Sequence, residues 1–151
     1  MELEKSIKQR TAFKSQCHKL VVNLIFTGNW LTQNMAKTIK PFGITPQQYN
    51  VLRILRGQHP NMISVSSITE RMLDKSSNVG RLLDKMIAKN LVEVRNCYKD
   101  RRAKNIIILQ KGLDLLTQIE QEIPAIENTI DINETEAALI NQLLDKLRGS
   151  E

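Results

Sequence analysis

The chain is expected to be mainly α-helical, with one short β-hairpin beside a pair of helices. Three observations predict this. Between Ile63 and Leu109 the sequence passes through VSSITERM, LDKSSNVGRLLDKMIAKNLVEV and RNCYKDRRAKNIIIL, which is the order helix, turn, helix, strand, basic loop, strand. On either side, apolar residues recur at three-and-four spacing over much longer stretches. The loop between the two strands is strongly basic. This is the plan of a winged helix-turn-helix, which sets one helix and one basic hairpin against DNA, here with long terminal helices for dimerisation.

In chain order, the first element is a long helix over about residues 7–39. Phe13, Cys17, Leu20, Leu24, Gly28, Leu31, Met35 and Ile39 fall on one stripe, widened by Val21 and Ile25, and Pro41 and Gly43 stop it. A helix of this length outruns the core of a small domain, so part of the stripe is expected to meet another chain. Thr45-Pro46-Gln47-Gln48 then reads as a helix start: Thr45 as cap, Pro46 in the first helical position, Gln48 reaching back. Tyr49, Leu52 and Leu55 form its buried stripe, and Gly57 and Pro60 end it. Ser64 to Met72 is the first helix of the pair, with Ile68 and Met72 inward.

In the second helix Val79, Leu82, Leu83, Met86 and Ile87 mark the buried stripe. Asp74 is the expected N-cap, and Asn90 ends the helix because Asn tolerates the left-handed conformation. The opposite face carries Ser76, Ser77, Asn78, Gly80, Arg81, Asp84 and Lys85. It is small and polar, as a helix entering the major groove must be. Arg81 can read guanine or grip a phosphate, and Asn78 can read adenine. Lys85 is expected to anchor on phosphate.

Leu91–Val94 and Asn105–Leu109 are the two strands. Of the ten residues between them, RNCYKDRRAK, five are basic: Arg95, Lys99, Arg101, Arg102 and Lys104. A guanidinium at such a tip suits a narrow minor groove. The lone carboxylate, Asp100, is expected to orient a neighbouring Arg. Beyond the hairpin, Leu109, Gly112, Leu116, Ile119, Ile123, Ile126 and Ile130 form a seam helix with a kink or break near Pro124. Asn133 caps a last helix with Glu136 reaching back, and Ile140, Leu143, Leu144 and Leu147 give its stripe. The chain is thus one unit over residues 1–151, with dimerisation helices at about 7–39 and 110–148 around a DNA-binding lobe at about 45–109.

The segment SSNVGRLLDKMIAKNLVEVRNCYKDRRAKNIIIL resembles the recognition helix and wing of MarR-type (multiple-antibiotic-resistance regulator) transcription factors. That family's wing carries an Asp-x-Arg pattern, then an apolar strand, then a Gly; here these are Asp100, Arg101 and Arg102, then Ile106 to Leu109, then Gly112. Gln110 stands where the family usually has Thr, and Asn90 where it usually has Gly. The resemblance implies a bacterial homodimer that binds duplex DNA sequence-specifically, with a wing Arg in the minor groove. It also implies a small-molecule pocket between the dimer helices and the DNA-binding lobe, with His18, Trp30 and Tyr49 as candidate lining residues. Some members sense oxidants through a first-helix Cys. Here Cys17 falls on the apolar stripe, where a Cys is usually inert, and Cys97 sits in the wing, so no dedicated redox switch is expected.

Charge and composition agree with an anionic partner. The net charge is +6, but its distribution says more: residues 1–60 carry nine Lys/Arg and two Asp/Glu, residues 61–111 eleven and five, and residues 112–151 two and nine. The acidic C-terminal end is expected to project away from DNA. Aromatics at 4% disfavour an RNA-binding protein that stacks bases, and a protein-docking winged helix needs no Arg-rich tip. Cys17 and Cys97 give neither metal spacing nor a disulfide framework, and no cofactor is expected. There is no Gly-rich phosphate loop, nucleophile elbow or paired-His helix motif, so no enzyme is expected. The charged N-terminus lacks a compact apolar region and no apolar run spans a bilayer, which leaves a cytoplasmic protein as the default.

Overall fold

The computed structural model describes residues 2–96, 104–127 and 130–149. A short helix α1 (Leu3–Ser6) precedes the long α2 (Gln16–Ile39). The expected single helix from Ile7 is therefore too long at its N-terminal end. Lys8 takes a left-handed φ of 54° after α1, and Ser15 caps α2 by accepting the His18 N–H at 3.1 Å. Phe13 lies ahead of the helix, packed edge-on against the His18 ring at 5.3 Å. Cys17 sits exposed in the first turn of α2, not inside an apolar seam.

A 3₁₀ turn (Lys40–Phe42) closes α2 at Gly43, whose φ is 71°. α3 (Pro46–Arg56) begins with a complete capping box: Gln48 N–H donates to Thr45 Oγ1, and the Thr45 N–H donates to Gln48 Oε1. Its inward residues Val51, Leu52 and Leu55 are buried. Next come a two-residue strand β1 (Ile63–Ser64), α4 (Val65–Arg71), α5 (Val79–Ala88), β2 (Val92–Asn96) and β3 (Lys104–Ile108). The strands form one antiparallel sheet in the order β1-β3-β2, with Ile106 opposite both Ile63 and Val94. β1 was not expected from the sequence. It turns the predicted hairpin into a three-stranded sheet anchored directly on α4.

The core lies in the middle of the chain. Leu52 and Leu55 of α3, Ile68 of α4, Met72, Val79, Leu83 and Met86 of α5, and Val92, Ile106 and Ile108 of the sheet form one cluster, joined by Ile39 of α2 and Leu116 and Ile119 of the next helix. That helix, α6 (Gln110–Glu127), packs on α2 and α3 and runs past Pro124 without the expected break in the helix. α7 (Glu134–Arg148) starts at the expected capping box of Asn133 and Glu136.

The terminal helices keep much of their apolar surface in the open. Leu20, Val21, Ile25, Phe26, Trp30 and Leu31 of α2 are exposed. α7 buries no residue, and its Leu139, Leu143 and Leu147 are each more than half exposed. Single exposed apolar residues are ordinary, but two helices exposing whole stripes mark an interaction surface.

Candidate nucleic-acid interface

Helix α5 is held at both ends by side chains and backbone the sequence supplies. At its end, Asn90 has φ 55°. The Leu91 N–H then bonds to the Met86 carbonyl at 3.0 Å and the Asn90 N–H to that of Ile87 at 2.9 Å. This is a Schellman closure, and its apolar partners Leu91 and Met86 are both buried.

At its start the structure corrects the sequence reading. Asn78, not Asp74, is the N-cap: its Oδ1 accepts the Arg81 N–H at 3.0 Å. Asp74 instead folds the preceding turn, accepting from the Ser76 N–H at 3.0 Å and the Ser76 hydroxyl at 2.6 Å. Those bonds hold the Asp74 carboxyl below the ordinary carboxylate range, the Ser76 hydroxyl first. Ser76, Ser77 and Asn78 thus lie ahead of the helix, not on its exposed face. Ser77 does not point outward as expected: its Oγ is buried and lacks a partner among the described residues.

The exposed face of α5 carries two cations, Arg81 and Lys85, and one carboxylate, Asp84. Arg81 and Lys85 stand one helical turn apart on the exposed face, and neither makes an ion pair among the described residues. Lys104 is exposed at the start of β3, opposite Asn96. At the base of the wing, Arg95 is held to Glu93 at 2.9 Å. The predicted wing residues Lys99, Asp100, Arg101 and Arg102, and Cys97, lie outside the described residues.

On the other side of the turn before α5 runs a groove of about 700 Å³. α2 contributes Leu31, Thr32 and Met35, α3 contributes Tyr49, Asn50 and Arg53, and the turn contributes Met72, Leu73 and Asp74. Arg53 Nη1 donates to the Tyr49 hydroxyl at 3.2 Å, and the guanidinium lies 5.8 Å from the Tyr49 ring centroid. Of the three candidate pocket residues, Tyr49 lines this groove. Trp30 does not, although it neighbours Leu31, and His18 lies near the start of α2 against Phe13.

Within the groove, a long-range bond ties the turn to α3. The Leu73 N–H donates to Asn50 Oδ1 at 2.9 Å, across 23 positions of sequence. Sequence reasoning missed it, because an Asn in mid-helix gives no sign of a distant backbone partner.

A capped, cation-bearing helix packed behind a second helix and beside a twisted hairpin defines a winged helix-turn-helix protein. Residues 42–103 match the model of the MarR family. Over 121 residues it is 25% identical to the HTH-type transcriptional regulator PrsX of Escherichia coli, covering 78% of this chain and 73% of the relative. Two solved structures share the fold. One concerns regulation of DNA binding of Bordetella bronchiseptica BpsR by 6-hydroxynicotinic acid; its TM-score is 0.77 at 22% identity, covering 93% of this chain and 99% of that one. The other is a mutant MarR from E. coli complexed with operator DNA; its TM-score is 0.77 at 19% identity, covering 91% and 99%. No helix among the described residues is long and apolar enough to cross a membrane.

Proposed function

We propose that the chain is a cytoplasmic homodimer that binds a near-palindromic duplex site. In this reading α5 enters the major groove and the basic wing enters the adjacent minor groove. The observation that carries it is the exposed face of α5, where Arg81 and Lys85 stand free of carboxylate partners among the described residues. Arg81 is the base reader, and Lys85 and Lys104 are the phosphate anchors. The wing cations Lys99, Arg101 and Arg102 add minor-groove attraction, with Asp100 orienting an Arg.

The open stripes of α2 and α7 supply the twofold interface, which places half-sites about one helical turn apart. The groove between α2, α3 and the turn takes a small-molecule effector, with Arg53 as the cation within its lining.

The test is selection of bound duplexes from a randomised pool. A shift assay on the winner and on a matched RNA follows, with light scattering on the free protein. A dimer with a palindromic preference and no comparable RNA affinity is expected. A monomer that still binds the selected duplex, or equal binding to RNA, refutes the reading.

A further inference from the structure

We infer that Asn50 is the positioning residue for the recognition helix. This rests on the DNA-binding reading above but concerns a residue that touches neither base nor phosphate in it. The turn from Met72 to Asn78 sets where α5 begins; Met72 is seated in the core, but the exposed side chains from Leu73 to Ser76 give the turn little purchase there. Leu73 is 87% exposed. Asp74 and Ser76 bond to each other, and Asn78 serves α5 itself. Lys75 Nζ reaches back only to the Glu70 carbonyl of α4.

Within this stretch, the Leu73 N–H to Asn50 Oδ1 bond ties the turn to α3. α3 is the better-anchored partner, with Val51 and Leu52 both fully buried beside Asn50. From α3 the path runs through Asn50 to the Leu73 N–H, then along the backbone, past the turn closed by Asp74 and Ser76, to the Asn78 cap beneath Arg81. Breaking its first member leaves the helix formed and the core packed, but frees the turn to rotate, and Arg81 moves with it.

Such a device has a distinctive signature. Phosphate contacts tolerate a small displacement, because the long Lys and Arg side chains follow their anionic partners. Base contacts require a fixed pose. Loss of the pin therefore lowers discrimination between selected and random DNA more than it lowers overall affinity.

Two measurements decide it. In the wild-type protein, amide hydrogen exchange at Leu73 is expected to be slowed despite its exposed position, as a hydrogen-bonded N–H requires. Fast exchange there overturns the inference without any variant. In Asn50→Ala the ratio of selected-site to random-duplex affinity is expected to fall about three- to tenfold, the scale of one lost hydrogen bond. Random-duplex affinity stays within about twofold of wild type. Thr69→Ala is the control. Thr69 lies on α4 just ahead of the turn, but its Oγ1 bonds to the Val65 carbonyl of its own helix at 2.9 Å, so discrimination is expected to hold. An Asn50→Ala protein with unchanged discrimination, or a Thr69→Ala protein that loses as much, refutes the positioning role. A wild-type protein that prefers no duplex refutes the DNA-binding reading instead.

Discussion

Gly112→Ala tests how the DNA-binding lobe is joined to the terminal helices. Gly112 is buried in the first turn of α6, where a Cβ would stand 2.5 Å from the Leu91 carbonyl oxygen and 2.8 Å from Ile108 Cγ1. Real Cβ atoms do not approach that closely, so something must move. The nearest atom is backbone, and it is held: the Leu91 carbonyl accepts the Leu109 N–H at 3.0 Å. Ile108 is 3% exposed and packed in the core. Neither neighbour yields cheaply, and overpacking of this kind costs about 1–3 kcal/mol. The gain in helix propensity from Gly to Ala offsets up to about 1 kcal/mol of it.

The net expectation is a loss of about 1–2 kcal/mol, or a fall in Tm of roughly 2–8 °C for a chain of this size. Thermal unfolding at matched protein concentration measures it, since the proposed dimerisation would make Tm concentration-dependent. Gly80→Ala is the comparison. There the nearest atom to a Cβ is Asn78 Oδ1 at 3.5 Å, an ordinary contact, and stability should hold or rise. A Gly112→Ala protein as stable as wild type shows that α6 can slide away from the wing base, and that the close approach has no stabilising role.

Three further outcomes follow. Asn78→Ala removes the cap of α5 and should lower stability by about 1 kcal/mol in chemical unfolding, with DNA binding weakened on every sequence rather than relaxed at one base. Arg81→Ala should cost roughly 1–3 kcal/mol on the selected site and relax one position, whereas Lys85→Ala should weaken selected and random duplexes alike; equal losses on both for Arg81→Ala contradict its reading role. Ser76→Ala should raise the Asp74 pKa in carboxyl NMR titration, because the hydroxyl that holds it down is gone. The folded-state pKa of Asp74 lies below its unfolded value, so the stability it contributes is present above the unfolded pKa and is lost as pH falls through the folded one; a wild-type turn insensitive to that titration contradicts the assigned bonds.

Periodicity made the buried faces legible, while local competition hid the boundaries. Val79, Leu83 and Met86 in α5, Leu52 and Leu55 in α3, and Leu116 and Ile119 in α6 lie where their three-and-four spacing puts them, all in the core. The capping boxes at Thr45 and Asn133 were readable because each has one strong cap followed by its partner at the third position. The start of α5 was not, because Asp74, Ser76, Ser77 and Asn78 are all competent caps and only the folded turn assigns their roles. Ser15 was lost inside an apolar repeat that continues past it to Phe13. β1 is two residues long and shows no alternation, so its pairing with Ile106 is a tertiary fact. The groove was expected from family resemblance, yet of its candidate residues the structure brings only Tyr49 to it, since His18 and Trp30 were not chosen by register.

The same turn shows how a short polar segment divides its labour. Read as sequence, DKSSNVGR offers six polar side chains for contact with nucleic acid. The fold commits most of them elsewhere. Asp74 and Ser76 close the turn, Lys75 bonds to the end of α4, Ser77 turns its hydroxyl inward, and Asn78 commits its carbonyl oxygen to the cap. Asn78 retains amide protons for donation, but the pairing with adenine also uses that oxygen as an acceptor, so its bidentate reading is compromised. Arg81 is left as the side chain both free and long enough to reach a base edge from the first turn of α5. In the proposed reading, sequence preference is therefore concentrated on one guanidinium, and its pose depends on the turn that Asn50 ties to α3.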